Sequence, residues 1–230
     1  MNLELIGDAD SQMAEIHLGM GEVAKIESGA MVYMHDAKLE GKLNSSKKGL
    51  GGLLGAIGRS FVSSESMFIT QVVGTAQDGV VAIAPAAPGK IALLEVGANQ
   101  YRLNDGAFFA CDDTVNYKMQ LQNVGQAAFG RTGGLFVMET EGYGDLLVSA
   151  FGDLIVLECT PERPITIDNE HVIAWDRSLD YSIEVASGTF GFTTGEGLVN
   201  KFTGSGKILI QTRNIHALAD ALKPFLPSGN

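Results

Sequence analysis

The chain is poor in cysteine, proline, aromatic residues and positive charge, and each scarcity narrows what it can be. Its two cysteines, Cys111 and Cys159, in 230 residues exclude a disulfide-stapled scaffold. Both lie in apolar runs without metal-ligand spacing and are read as reduced core residues. Six prolines against 29 glycines favour many short strands joined by tight turns. Lys and Arg number 16 against 27 Asp and Glu, for a formal net charge of −11. That balance argues against nucleic acid as a partner, because phosphate backbones are held by clustered Lys and Arg. No run approaches the roughly 20 apolar residues of a transmembrane helix. The first ten residues lack a basic start followed by an apolar stretch, so no secretory leader is expected. These absences together predict a cytoplasmic protein.

What is present is alternation. Val115, Tyr117, Met119 and Leu121 share one side of a period-two pattern, with Asn116, Lys118 and Gln120 on the other. Leu179, Tyr181, Ile183 and Val185 repeat it, and Leu39 and Leu43 echo it around Gly41. Such patterning marks half-buried strands. The three runs begin alike, in Tyr33–Leu43, Phe109–Met119 and Ile173–Ile183. Each has an Asp (Asp36, Asp112, Asp176) three residues before the first apolar residue of its run. The intervals of 76 and 64 residues are too long for a solenoid and suit three small β modules. Leu103-Asn-Asp-Gly106 and Ile167-Asp-Asn-Glu170 supply matching turns upstream of two copies; Ser28-Gly29-Ala30 stands at that place in the first.

Strands also flank Gly-rich turns at Gly74/Gly79, Gly142/Gly144 and Gly204/Gly206, and these read as strand–turn–strand units of a sandwich or closed roll. The expectation is one compact β unit over residues 1–230. It consists of three divergent repeats, approximately 1–62, 63–130 and 131–213, plus a helix over 214–223. Asn214 caps that helix, Ile215, Leu218, Ala219 and Leu222 form its apolar stripe, and Pro224 ends it. The stripe predicts that it docks on the sheet as a lid.

Catalytic signatures are missing. There is no nucleophile elbow, His-Glu-x-x-His or Cys-x-x-Cys. Gly204-Ser-Gly-Lys207 resembles the end of a P-loop, yet Ile208 replaces the magnesium-binding Ser or Thr and Lys201 the upstream Gly; a hairpin turn is the better reading. His17, His35, His171 and His216 are scattered, so no metal and no cofactor is expected. Asp36, Asp112 and Asp176 could meet around a cation, but an Asp before a strand more often fixes a turn through backbone N–H groups. Trp175 reads as a core or rim aromatic, and the pairs Asp112-Asp113 and Glu139/Glu141 as solvated acidic faces.

Residues 47–61 break the pattern. They are apolar, Gly-rich and flanked by Lys47, Lys48 and Arg59. Leu50, Leu53, Leu54, Ile57 and Phe61 are the candidate contact for a protein partner or a membrane surface; the alternative is an insertion folded over the β core.

The run Gly195–Arg213, with the short helix and Pro224 behind it, resembles the carboxyl-terminal signature of a family of unknown function. Its fungal members are the altered-inheritance-of-mitochondria, or mitochondrial biogenesis, proteins. Residues 49–57 before Ser66-Met-Phe-Ile-Thr70, and Gly29-Ala-Met-Val-Tyr33, are similar to it as well. This resemblance implies a double-stranded β-helix like that of the tryptophan RNA-binding attenuation protein, in tandem units, and a role at mitochondrial membranes in the fungal relatives. No tryptophan- or RNA-binding position carries over. The expected function is a non-enzymatic β scaffold for a protein partner or membrane surface. The alternative is a small-ligand module with a pocket between repeats near Trp175, Tyr117 or Tyr181. Open strand edges also predict a homo-oligomer.

Overall fold

The computed structural model describes residues 1–8, 11–43, 68–121, 136–186 and 197–226. The first six strands are β1 (Asn2–Ile6), β2 (Met13–Leu18), β3 (Val23–Glu27), β4 (Met31–His35), β5 (Ala37–Leu43) and β6 (Phe68–Gly74). The next six are β7 (Gly79–Ile83), β8 (Ile91–Val96), β9 (Tyr101–Leu103), β10 (Phe108–Asp112), β11 (Val115–Leu121) and β12 (Phe136–Gly142). Then come β13 (Gly144–Ser149), β14 (Leu154–Cys159), β15 (Ile165–Asp168), β16 (Val172–Asp176), β17 (Asp180–Val185), β18 (Leu198–Thr203) and β19 (Gly206–Gln211). One α-helix among the described residues, α1 (Ile215–Leu222), follows. The described chain is thus predominantly β with one short C-terminal helix.

The strands form four antiparallel sheets. Their orders are β1-β2-β7-β4, β5-β6-β3-β10-β13-β8, β11-β12-β9-β16-β19-β14 and β15-β18-β17. Raising every strand number of the second sheet by six gives the third. The same offset turns β4-β7-β2 of the first sheet into β10-β13-β8 of the second, and β11-β12-β9 of the third into β17-β18-β15 of the fourth. A register shift also recurs in step, between Met31 and Tyr33, Phe108 and Ala110, and Val172 and Ala174.

Alternation builds three cores between successive sheets. Ile16, Val81 and Ile83 of the first sheet meet Ile26, Val72, Phe109 and Leu147 of the second. Leu146 and Val148, on the opposite side of β13, meet Leu103, Val115, Ile173 and Leu209 of the third. Trp175, Val137 and Ile208 of the third meet Phe202 of the fourth. A strand such as β13 is buried on both faces, so its sequence Leu146-Leu147-Val148 is a continuous apolar run instead of an alternating one.

Two expectations need correction here. Gly204–Gly206 does not close the expected hairpin, and Gly74–Gly79 and Gly142–Gly144 share its geometry. The strands on either side lie in different sheets (β6 and β7, β12 and β13, β18 and β19), so each turn is a corner carrying the chain from one layer to the previous one. The strand–turn–strand context at Lys207 still excludes a P-loop, whose lysine opens a helix. The helix α1 is not a lid. Asn214 does cap it, its side chain accepting from the Ala217 amide at 2.9 Å, but no residue of α1 is buried. Its apolar stripe faces outward.

Candidate functional site

The repeated aspartates stand at corners. Asp112 ends β10, and its Oδ2 accepts the backbone N–H of Asp145, the second residue of β13, at 2.7 Å. Asp176 ends β16, and its Oδ2 accepts the N–H of Lys207, the second residue of β19, at 2.7 Å. Both bonds cross the same kind of corner and are the turn-fixing use of Asp. The Met1 ammonium joins the first of them, 2.7 Å from Asp145 Oδ2 and 3.2 Å from Asp112 Oδ2. Asp36 departs from the pattern. It adopts a left-handed φ of 48°, and its carbonyl accepts from the Thr75 amide at 2.8 Å. Among the described residues no group of three His, Cys, Asp or Glu side chains is placed to hold a metal ion.

An ion cluster is centred on one buried carboxylate of the third sheet. Glu139 on β12 is buried, with Arg102 Nε 2.9 Å from Oε2 and Arg177 Nε 3.1 Å from Oε1. The Arg102 guanidinium also donates to the carbonyls of Arg177 and Leu179 and lies 5.3 Å over the Tyr181 ring. The expectation of a solvated face fails for Glu139, which shares the inward side of β12 with Val137. It holds for Glu141, which pairs with Lys118 on the surface. Such a cluster fixes how strands meet more than it stabilises them, because desolvating the Glu139 carboxylate offsets much of its attraction to the two arginines.

The third core contains a polar anomaly. Trp175 packs edge-on against Tyr181 and Phe202, at centroid distances of 4.9 and 5.5 Å. Trp175 and Asn200 are fully buried. Neither the indole N–H of Trp175 nor either amide atom of Asn200 has a hydrogen-bond partner. Asn200 lies between Ile167 and Ile183 on the neighbouring strands. Of the aromatic residues expected near a pocket, Trp175 and Tyr181 come together, whereas Tyr117 packs against Phe108 instead. Cys111 and Cys159 are free and buried, and burial pushes the Cys111 thiol up to about 12.

Two apolar surfaces are exposed. Every residue of β4 is exposed, including Met31, Val32, Tyr33 and Met34. So are Ile215, Leu218 and Leu222 on α1, with Phe225 and Leu226 beyond it. The sequence candidates Leu50, Leu53, Leu54, Ile57 and Phe61 lie outside the described residues. Sequence reading passed over Asn200 and took Glu139 for part of a solvated face. Asn200 alternates with the apolar Phe202, and Glu139 with Val137, so a polar residue on an inward-facing position was the available signal.

Among the described residues no helix is long and apolar enough to cross a membrane. A crystal structure of a protein from Streptococcus pyogenes is similar to this chain at a TM-score of 0.82 and 46% identity, covering 98% of this chain and 99% of the other. An uncharacterised protein of Streptococcus pyogenes serotype M6 is 49% identical over 222 residues, 95% of this chain and 88% of that protein. The family model of mitochondrial biogenesis AIM24 proteins matches residues 3–213, from β1 to the end of the last sheet strand. The chain therefore belongs to the mitochondrial biogenesis AIM24 family.

Proposed function

We propose that the protein is a non-enzymatic, cytoplasmic β scaffold that acts by contact with a protein partner or a membrane surface. The carrying observation is α1, a capped helix whose Ile215, Leu218 and Leu222 face solvent, followed by exposed Phe225 and Leu226. Apolar side chains aligned at helical spacing and left uncovered mark a contact surface. The body beneath it is read as a tryptophan-attenuation-type roll of three tandem modules, supported by the six-strand offset between sheets. The buried free cysteines fit a reducing compartment. The test is co-sedimentation with anionic and neutral liposomes, with pull-down alongside. The intact chain is compared with an Ile215→Ser/Leu218→Ser/Leu222→Ser variant and with a deletion of residues 49–61. Binding lost in either variant supports the reading; binding unaffected by both removes it.

A second reading, a small-ligand module, is favoured by the orphan polar atoms of Trp175 and Asn200. A small molecule with an acceptor for the indole N–H and groups complementary to a carboxamide would satisfy them. A metabolite-library thermal-shift screen in which Asn200→Leu abolishes every hit supports it; a screen without hits rejects it.

A further inference from the structure

The six-strand offset leaves the two ends of the molecule as complementary halves of one joint. Within the chain, β3 pairs with β10 and β9 with β16. By the same offset β15 corresponds to β3 and β9, but no described strand follows to take the place of β10 or β16. Similarly β4 corresponds to β10 and β16, but no described strand takes the place of β3 or β9 beside it. Both are edge strands, β4 of the first sheet and β15 of the fourth.

Burial makes the comparison quantitative. Ala110 and Cys111 on β10, and Ala174 and Trp175 on β16, are fully buried. Their counterparts Tyr33 and Met34 on β4 are 40% and 37% exposed. They have nevertheless stayed apolar, as have Met31 and Val32 beside them. Exposed edges are ordinarily blunted with Lys or Pro, and β4 has neither. On the other half of the joint, Leu103 and Ile26 are buried, while Ile167 at the same place on β15 is only partly covered.

We propose that a second copy of this chain completes the joint head to tail, its β15 pairing antiparallel with β4. The register follows from the two internal joints. Ala110 faces Ile26 and Ala174 faces Leu103, so Tyr33, which stands at their place after the shared register shift, faces Ile167 of the second copy. Cys111 faces Lys25 and Trp175 faces Arg102, so Met34 faces Thr166 of the second copy. One difference sets the strength of this contact. Lys25 Nζ donates to the carbonyls of Asp113 and Val115 at 2.7 and 2.8 Å. Arg102 likewise donates to those of Arg177 and Leu179 at 3.0 and 3.1 Å. Thr166 is too short to reach the carbonyl of Ala37, which stands opposite Gly74 as Val115 stands opposite Gly142. The contact between copies lacks the basic staple of the internal joints and is separable where they are not. A head-to-tail contact is heterologous and continues into a ring or a filament.

The inference names one partner within the scaffold reading but does not need a membrane, so it is tested without lipid. Sedimentation equilibrium of the intact chain over a wide concentration range should give a mass rising above 24.3 kDa. Met34→Asp should hold the mass at the monomer with an unchanged circular dichroism spectrum. Thr166→Arg, which restores the staple, should tighten association about tenfold, the worth of one charge-assisted hydrogen bond. Antiparallel partners lie about 4.5–5.5 Å apart, within disulfide reach. An oxidised Tyr33→Cys/Ile167→Cys double variant should therefore run as a ladder of covalent multimers. Ring and filament both support the joint. A monomer at every concentration, a disulfide closed within one chain, or a covalent dimer from Tyr33→Cys alone would each overturn it.

Discussion

Asp176 Oδ2 and the backbone N–H of Lys207 are 2.7 Å apart across a sheet-to-sheet corner, and Asp112 and the N–H of Asp145 repeat that bond at the same distance. A charged acceptor on a corner amide makes a bond worth more than a neutral one. Asp176→Ala should lower unfolding free energy by about 1–3 kcal/mol, and Asp112→Ala by at least as much because it also loses the Met1 ammonium. Asp36→Ala, whose side chain makes no such corner bond, should be milder. Urea unfolding of the three variants checks the order.

The same corners require glycine. A Cβ on Gly144 would lie 2.7 Å from Asp112 Oδ2, and the residue has a φ of +129°. Gly144→Ala combines a clash with a backbone conformation that alanine avoids, and should destabilise by about 2 kcal/mol or more. Gly97, whose Cβ would meet open space, is the control; Gly97→Ala should be near neutral. Thermal melts of the pair provide the comparison.

Alkaline pH should loosen the fold. Burial raises the Cys111 thiol from its ordinary 9.0 to about 12. It also raises the phenols of Tyr117 and Tyr101 above their ordinary 10.0. The folded protein therefore holds protons that the unfolded chain releases. Stability is full below pH 9 and declines as pH climbs toward 12. Urea midpoints measured from pH 7 to pH 11 should fall above pH 9, and less steeply in Cys111→Ala. Iodoacetamide should leave Cys111 unmodified in the native protein at neutral pH.

Asn200 is predicted to cost the apo protein stability. Replacing an unpaired buried amide with an aliphatic side chain of similar volume removes a desolvation penalty of about 1–3 kcal/mol. Asn200→Leu should therefore raise the melting temperature, whereas Phe202→Ala, which empties the same core, should lower stability by about 3–5 kcal/mol. Differential scanning calorimetry separates the two.

Legibility in the sequence followed periodicity. Period-two alternation marked strands such as β11 and β17, and the Asp-led copies lie on β4–β5, β10–β11 and β16–β17, six strands apart. The corners were misread because a Gly turn between two strands looks the same whether the strands pair or part; only neighbours distant in sequence decide that. The helix α1 was legible in extent, from its Asn214 cap to Pro224, but an apolar stripe does not reveal whether anything covers it. Glu139 was hidden because its partners are Arg102 and Arg177, on β9 and just past β16. No local pattern announces a pairing across that separation.

The interleaving of strands has a consequence for the cut chain. A protease nick in the turn Gly97–Gln100, between β8 and β9, would divide the second sheet unequally. The amino-terminal piece would keep β5, β6, β3 and β8, while β10 and β13 would belong to the other piece though lodged between β3 and β8. Each fragment would hold the other by ladders on both sides. Under native conditions the halves should travel as one particle and separate only when denatured, so the backbone's continuity matters less to this molecule's integrity than the order in which its strands are stacked.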